Sequence, residues 1–477
     1  MGESMRRVAP GPRGLEVLQF LGLGTFENTL HFLRAQARKH GPVTSFRILG
    51  RTLYLLDDPE LLRQVLVVQQ HSFTRPVGTQ LLRDITGLNL ATTDEPLHRE
   101  RRRLLQPAFA RQAIAAYGGV MAHEARRFAA ECFDGQLLDI GAAMARLTLN
   151  VASRTLFGGG VDPDAYAMSQ ALARAMHAVS RVGPILEAVP PSIAGACRRL
   201  SFGANVEFRR ARTALRASVQ RLIERNRGIA ETNGGGVLSI VLAASGDDAA
   251  VGDELCALLF AGHETTATAL TWAWYLLASH PTVEATLHEE LDAVLGERDP
   301  TVDDIANLPF TTAVFNETLR LYPSAPVFGR RVLEDCELCG YRISGGSGII
   351  ISPFVSQRNA RYFPAPECFV PARWQQPTWP DFAYVPFGGG ARRCIGEPFA
   401  RMEGVMVLAT LARRYRFARI ERGRVGIASA MLRPARPIVV RAIARDTSTR
   451  RYVSVKGESL TGRAAFRDRQ GMAGAAR

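Results

Sequence analysis

The chain lacks the usual signs of a secreted, membrane-spanning or modular protein. Its seven cysteines fall at irregular spacings in 477 residues, which is no disulfide framework. No apolar run suited to secretion follows Arg6, Arg7 and Arg13. The stretch Leu15 to Leu23 is too short and too interrupted by glycine to span a bilayer. These absences predict a cytoplasmic, reducing setting and no membrane anchor. No Ser/Pro/Gly-rich linker and no internal repeat divides the sequence. Asn233-Gly234-Gly235-Gly236 marks a loop, but apolar sequence resumes at once with Val237 to Ala244. Acidic residues are also few: 45 Asp+Glu face 59 Lys+Arg, a net charge of +14, so the surface should attract anionic partners. Zinc-finger spacing, RNA-binding signatures and helix-turn-helix grammar are all missing, which argues against nucleic acid. After Ile443 come eight basic and three acidic residues in a Gly-, Ala- and Ser-rich stretch, and this reads as a disordered end. For the remaining excess an acidic protein partner fits better.

The chain has globular composition, 47% hydrophobic and 22% charged, and this excludes a disordered protein. Residues 26–40 have helical periodicity and stop at Gly41-Pro42. The segments VTSFRILG and RTLYLLDD read as a strand pair turning at Gly50-Arg51. From Asp94 to about Arg320 the pattern is mostly helical. Residues 330–355 suggest strands, helical pattern returns from Pro398 to Tyr415, and short strands are expected near 425–443. The fold class predicted is mainly α with small β-sheets.

One segment carries most of the chemistry: Phe387-Gly-Gly-Gly-Ala-Arg-Arg-Cys394-Ile-Gly396-Glu-Pro-Phe-Ala400. A glycine-rich loop delivers a single cysteine into a helix. Such a loop can wrap closely around a sulfur and aim N–H groups at it, which favours the thiolate. A lone cysteine in a glycine turn is more often structural. The whole segment changes that balance, because Phe387, Gly390, Arg392, Cys394, Gly396 and Ala400 resemble the haem-binding signature of cytochromes P-450. The resemblance implies that Cys394 ligates haem iron, Phe387 shields the sulfur and Arg392 pairs with a propionate. Thiolate ligation favours O–O cleavage.

Two further segments extend the likeness. Glu317 and Arg320 lie at i, i+3 near the end of a helix stopped by Pro323, which alone would be a common surface pair. The stretch resembles the family's Glu-x-x-Arg helix, and Arg373 matches the third partner of that structural triad. Position 372, usually acidic in the family, is alanine. The segment Asp253 to Ala278 is apolar nearly all round and should be buried, with Ala261-Gly-His-Glu-Thr-Thr266 interrupting it. It could be a core helix with a satisfied polar patch. The segment also resembles the family's acid–threonine motif. By that match Thr265 holds the oxygen-side hydrogen bonds, Glu264 relays protons, and Gly262 leaves room for dioxygen; His263 has no catalytic role.

By the same resemblance His98 and Arg102, at i, i+4 on one helix, and Arg330 contact the haem propionates. Arg99, Arg101, Arg103, Arg393, Arg401 and Arg414 are expected to form a basic face for an acidic electron carrier. Cys336-Glu-Leu-Cys339 is a lone C-x-x-C and a weak metal or redox signal.

The implied protein is a soluble, bacterial-type haem-thiolate monooxygenase of the cytochrome P-450 fold. Residues 1–25 form an N-terminal segment, 26–443 the haem domain and 444–477 a basic tail. It carries haem b and works as a monomer. Electrons come ultimately from NAD(P)H through a ferredoxin or flavodoxin and its reductase. One atom of O2 enters a lipophilic substrate: a terpenoid, fatty acid, steroid or polyketide, unranked. The segments expected to shape specificity are Phe73 to Leu90, 170–205, Ala257 to Ala261, Ala325 to Phe328 and Ala430 to Leu432. A peroxide-driven enzyme or a haem-thiolate isomerase would not need Glu264 and Thr265, and a gas-sensing module would need only Cys394 and the triad.

Overall fold

The structure, a computed structural model, describes residues 8–12, 16, 26–48, 50–76, 78–158, 165–172, 206–233, 236–244, 247–421 and 431–445. Contacts gather Met1–Ala444 into one compact unit. Its principal helices are α1 (Phe26–His40), α2 (Leu97–Leu105), α3 (Arg111–Glu131), α4 (Ile140–Phe157) and α5 (Val206–Asn233). There follow α6 (Gly236–Ala244), α7 (Asp248–Leu277), α8 (Pro281–Leu295), α9 (Pro309–Leu321) and α10 (Glu397–Arg414).

The longest of these, α7, is central because its sequence leaves it no polar face. Val251, Leu255, Leu259, Leu270, Trp272, Trp274 and Leu277 point to all sides and are buried. The Asp247 carboxylate caps the helix by accepting the Ala249 N–H at 3.0 Å. Inside it, Thr268 and Thr271 donate to the carbonyls of Glu264 and Ala267 at 2.9 and 2.7 Å. The segment 261–266, expected to interrupt α7, stays helical. Pro281 occupies the first turn of α8, where its missing N–H costs nothing. The α7 helix packs along α4 and against α9 and α10. The Trp272 ring stacks on Tyr322 with centroids 4.0 Å apart, and its N–H donates to the Leu432 carbonyl at 2.6 Å.

The strands lie at the margins. β1 (Val43–Ile48) and β2 (Arg51–Leu56) form the expected hairpin, and β3 (Phe73–Thr74) is a short edge. β4 (Leu137–Asp139) stands apart from them. Beyond α9 come β5 (Phe328–Val332), β6 (Cys336–Leu338), β7 (Tyr341–Ile343) and β8 (Gly348–Ile351), then β9 (Tyr415–Arg419) and β10 (Val439–Ala444). The larger sheet has the order β1-β2-β8-β5-β3; β4-β10-β9 and β6-β7 form two smaller ones. Thr74 pairs with Arg331, which brings the early part of the chain beside residues from its last third. Part of the strand region expected near 425–443 lies outside the described residues. Among the described residues no helix is long and apolar enough to cross a membrane, and no cluster of His, Cys, Asp and Glu, Cys336 and Cys339 included, could hold a metal.

Candidate functional site

The cysteine loop is held by its own backbone. Phe387 O accepts the Cys394 N–H and Gly390 O the Arg393 N–H, both at 3.0 Å. Gly390 has φ +67°, and a β-carbon there would run into the Leu66 carbonyl, so only glycine fits. Gly396 begins α10 and directs its N–H at the sulfur. Burial nevertheless pushes the Cys394 thiol up, outweighing the Gly396 N–H and the charges of Arg102 and Arg393. One backbone donor of the several expected from the sequence, Gly396, is seen at the sulfur, and in the protein alone desolvation outweighs it. The Arg401 guanidinium lies over the Phe387 ring at 5.0 Å.

Cys394 is accessible through a cavity of about 420 Å³ between this loop and α7. Opposite it stand Ala261, Gly262, Thr265 and Thr266. The Thr265 hydroxyl donates to Ala261 O at 2.7 Å, and its carbonyl accepts the Ser324 hydroxyl at 2.7 Å. Glu264 is not among the wall residues. It is buried behind α7, paired with Arg433. His263 Nε2 lies 3.8 Å from the Glu264 carboxylate. Its Nδ1–H donates to Leu259 O at 2.7 Å, so Nε2 accepts from Ser169 Oγ at 2.7 Å. Burial lowers the His263 pKa and keeps the ring neutral. The structure thus separates the pair expected to act together: Thr265 faces the cavity and Glu264 faces away.

His98, Arg102, Arg330 and Arg392 do meet on one wall of the cavity, and Arg75 joins them. His98 donates to Glu95 at 3.0 Å, and Arg392 reaches Asp94 at 3.3 Å. Arg75 donates to the carbonyls of Thr93 and Leu90 at 2.8 and 2.9 Å. Burial and then the Arg392 charge push Arg75 down to about 9 and Arg330 down to about 10. Burial lowers Arg102 and Arg392 as well. Four arginines and His98, whose pKa burial lowers, therefore meet Asp94, Glu95 and, on the cavity wall, Glu254, itself paired with Arg101, a setting that calls for further anionic charge. Sequence reasoning missed Arg75, whose place depends on the β3–β5 pairing.

Glu317, Arg320 and Arg373 are in direct contact. Glu317 and Arg320 are fully buried and joined at 2.8 and 2.9 Å; Arg373 Nε reaches Glu317 at 3.0 Å. Trp374, not foreseen, donates its indole N–H to Glu317 at 2.9 Å, and the Val370 N–H adds another bond at 3.0 Å.

The expected basic face needs correction. Arg101 is paired with Glu254, Arg393 and Arg401 with Glu397, Arg414 with Asp299, and Arg99 lies 3.6 Å from Glu95. Glu254 and Asp299, distant in sequence, and Glu397 and Glu95, one helical turn away, take up much of that charge, and Arg103 remains exposed. A second cleft of about 920 Å³, lined by Arg99, Arg103 and Arg331, shares Arg102, Arg330 and Arg392 with the inner cavity. Of the expected specificity segments, Leu90, Ala257, Ala261, Ala325 and Phe328 line the cavity. Residues 173–205 and Ala430 lie outside the described residues, and Leu432 is buried behind α7. Leu156 and Val237 are wall residues that the sequence did not suggest.

The family model for Cytochrome P450 matches residues 9–439. The chain belongs to the cytochrome P450 family. It is 37% identical over 399 residues to cyclooctatin synthase of Streptomyces melanosporofaciens, covering 81% of this chain and 85% of that one. It is 34% identical over 397 residues to pentalenene oxygenase of Streptomyces avermitilis, covering 81% and 86%. A crystal structure of a 6-coordinated cytochrome P450 from Thermus thermophilus superposes with a TM-score of 0.67 at 28% identity, covering 87% of this chain and 98% of that one. The mainly α P450 fold and the haem-thiolate monooxygenase class expected from the sequence are those of this P450. The residues present fit haem: a sulfur donor on one wall, small residues opposite, and a surplus of cations for carboxylates at the edge.

Proposed function

We propose that Cys394 ligates the iron of haem b. His98, Arg102, Arg330 and Arg392, together with Arg75, hold its propionates. The observation that carries this reading is one sulfur and an unbalanced group of cations on the wall of a single cavity. Gly390 and Gly396 let the loop approach closely, Phe387 covers the sulfur, and Glu317, Arg320 and Arg373 keep the scaffold rigid. Bound there, haem supplies dioxygen activation. Thr265 holds water in the cavity through its hydroxyl. Glu264 serves the proton supply from behind α7, held by Arg433.

The substrate is a cyclic terpenoid. Supporting this are the mostly apolar wall, with Leu90, Leu156, Val237, Leu258 and Phe328, and relatives named for oxidising pentalenene and for making cyclooctatin. Electrons reach the site from NAD(P)H through a ferredoxin or flavodoxin and its reductase, and the cleft lined by Arg99, Arg103 and Arg331 offers the basic surface for such an acidic partner. The protein works as a cytoplasmic monomer, with residues 26–443 as its haem domain and 444–477 as a basic tail.

Reduction under carbon monoxide tests the ligand. The wild type should give the Soret band of sulfur coordination, and Cys394→Ser should lose it; a band surviving in the variant ends this reading. Titration with cyclic terpenoids, fatty acids, steroids and polyketides, read from the iron's spin state, tests the substrate class. Turnover with NAD(P)H and surrogate redox proteins, set against peroxide alone, tests the electron source.

A further inference from the structure

Behind the cavity, α10 buries a carboxyl group with no evident partner. Glu403 is 0% exposed, and neither of its side-chain oxygens makes a hydrogen bond of ordinary geometry. A buried carboxylate in such a place is costly, and a buried neutral acid much less so. Burial accordingly raises the Glu403 pKa well above the usual carboxylate range. The Thr266 hydroxyl is the opposing influence, and no charged side chain among the described residues acts on it. Thr266 stands on the cavity wall beside Thr265, its hydroxyl 3.3 Å from Gly262 O. Glu403 itself is not a wall residue. Of the acids on α7 itself, Glu264 is turned away and tied to Arg433, and Glu254, a wall residue, is paired with Arg101.

We propose that Glu403 is a neutral proton store that serves the cavity through the hydroxyl of Thr266. Its O–H proton passes to Thr266 Oγ, and Thr266 releases its own hydroxyl proton to an acceptor in the cavity. The carboxylate left behind is unsupported, so it recovers a proton from a hydronium ion reaching the cavity, through the same hydroxyl in reverse, and the hydronium is left as water. Protons balance over the cycle and no electrons move. Glu403 acts only through Thr266 and is a positioning residue in this sense. The role rests on the monooxygenase reading, but its central test does not require turnover.

Infrared spectra of the resting holoenzyme in H2O and D2O read the store directly. The wild type should show the carbonyl stretch of a protonated carboxylic acid that is missing in Glu403→Gln. In Thr266→Val that stretch should shift, and its exchange with deuterium should slow by roughly tenfold or more, the scale of a lost proton-transfer group. Thr266→Val keeps the acid in place, so the test stands even if Glu403→Gln folds poorly. In a folded Glu403→Gln that keeps its carbon monoxide Soret band, product formed per O2 consumed should fall. The proposal is overturned if no such carbonyl stretch exists, if exchange in Thr266→Val matches the wild type, or if Glu403→Gln turns over with unchanged coupling. Loss of the Soret band in the wild type would instead count against the haem-thiolate reading.

Discussion

The molecule buries two groups of arginines and treats them in opposite ways. At Glu317, every N–H of Arg320 has an acceptor: the two carboxylate oxygens and the carbonyls of Gln357, Pro366 and Cys368. Glu317 in turn receives Arg373, Trp374 and a backbone N–H. At the cavity, Arg392 reaches Asp94 and His98 reaches Glu95, Arg102 and Arg330 reach only backbone carbonyls, and the Arg392 charge works against Arg75 and Arg330. The first group is completed by the chain itself. On the proposed reading the second is completed by an anionic ligand, and this difference separates scaffold from binding site more sharply than burial does.

Breaking the first group should have the largest effect. Glu317→Gln leaves Arg320 and Arg373 buried without a counter-charge and should cost about 3–5 kcal/mol. Thermal melting and soluble yield measure it, and an unchanged melting temperature would erase the contrast. Arg330→Met should act with the opposite sign on the haem-free protein. Its folded pKa, about 10, lies below the ordinary arginine value, so folding penalises the charged form at neutral pH. That penalty fades as pH rises above about 10, when the folded protein sheds the proton first. At a neutral pH the haem-free variant should therefore melt no lower than the wild type. The holoenzyme should lose haem to a scavenger protein at least about tenfold faster, the equivalent of about 1.4 kcal/mol. A large fall in haem-free stability would place Arg330 with the scaffold instead. Trp374→Phe should have the smallest effect. It removes one of several donors to Glu317 and should cost about 1–2 kcal/mol with the Soret band intact.

Much of this was legible in the sequence, because local signals fix it. Gly41-Pro42 ends α1, the apolar circumference of α7 puts it at the centre, and the glycines around Cys394 mark a loop that must pass close to other backbone. The parts not legible depend on partners far along the chain. Arg75 looks like one arginine among many until β3 pairs with β5. The expected basic face is only partly neutralised from afar, as Glu254 and Asp299 pair with Arg101 and Arg414. Glu264 faces Arg433, which is remote from it in the chain. Glu403 is the exception, since a usable signal was present. It lies one turn from Phe399 and from Val407, both buried, so helical spacing alone places it on the inner face of α10.

Ser324 stands four positions beyond Arg320, and its hydroxyl grips the carbonyl of Thr265. One short tether thus joins the buried ionic group around Glu317 to the turn of helix that faces the cavity. A displacement of that group would reach Thr265 through this hydrogen bond. A substitution remote from the cavity can in this way alter how faithfully oxygen consumption yields product, although every group lining the chamber is unchanged.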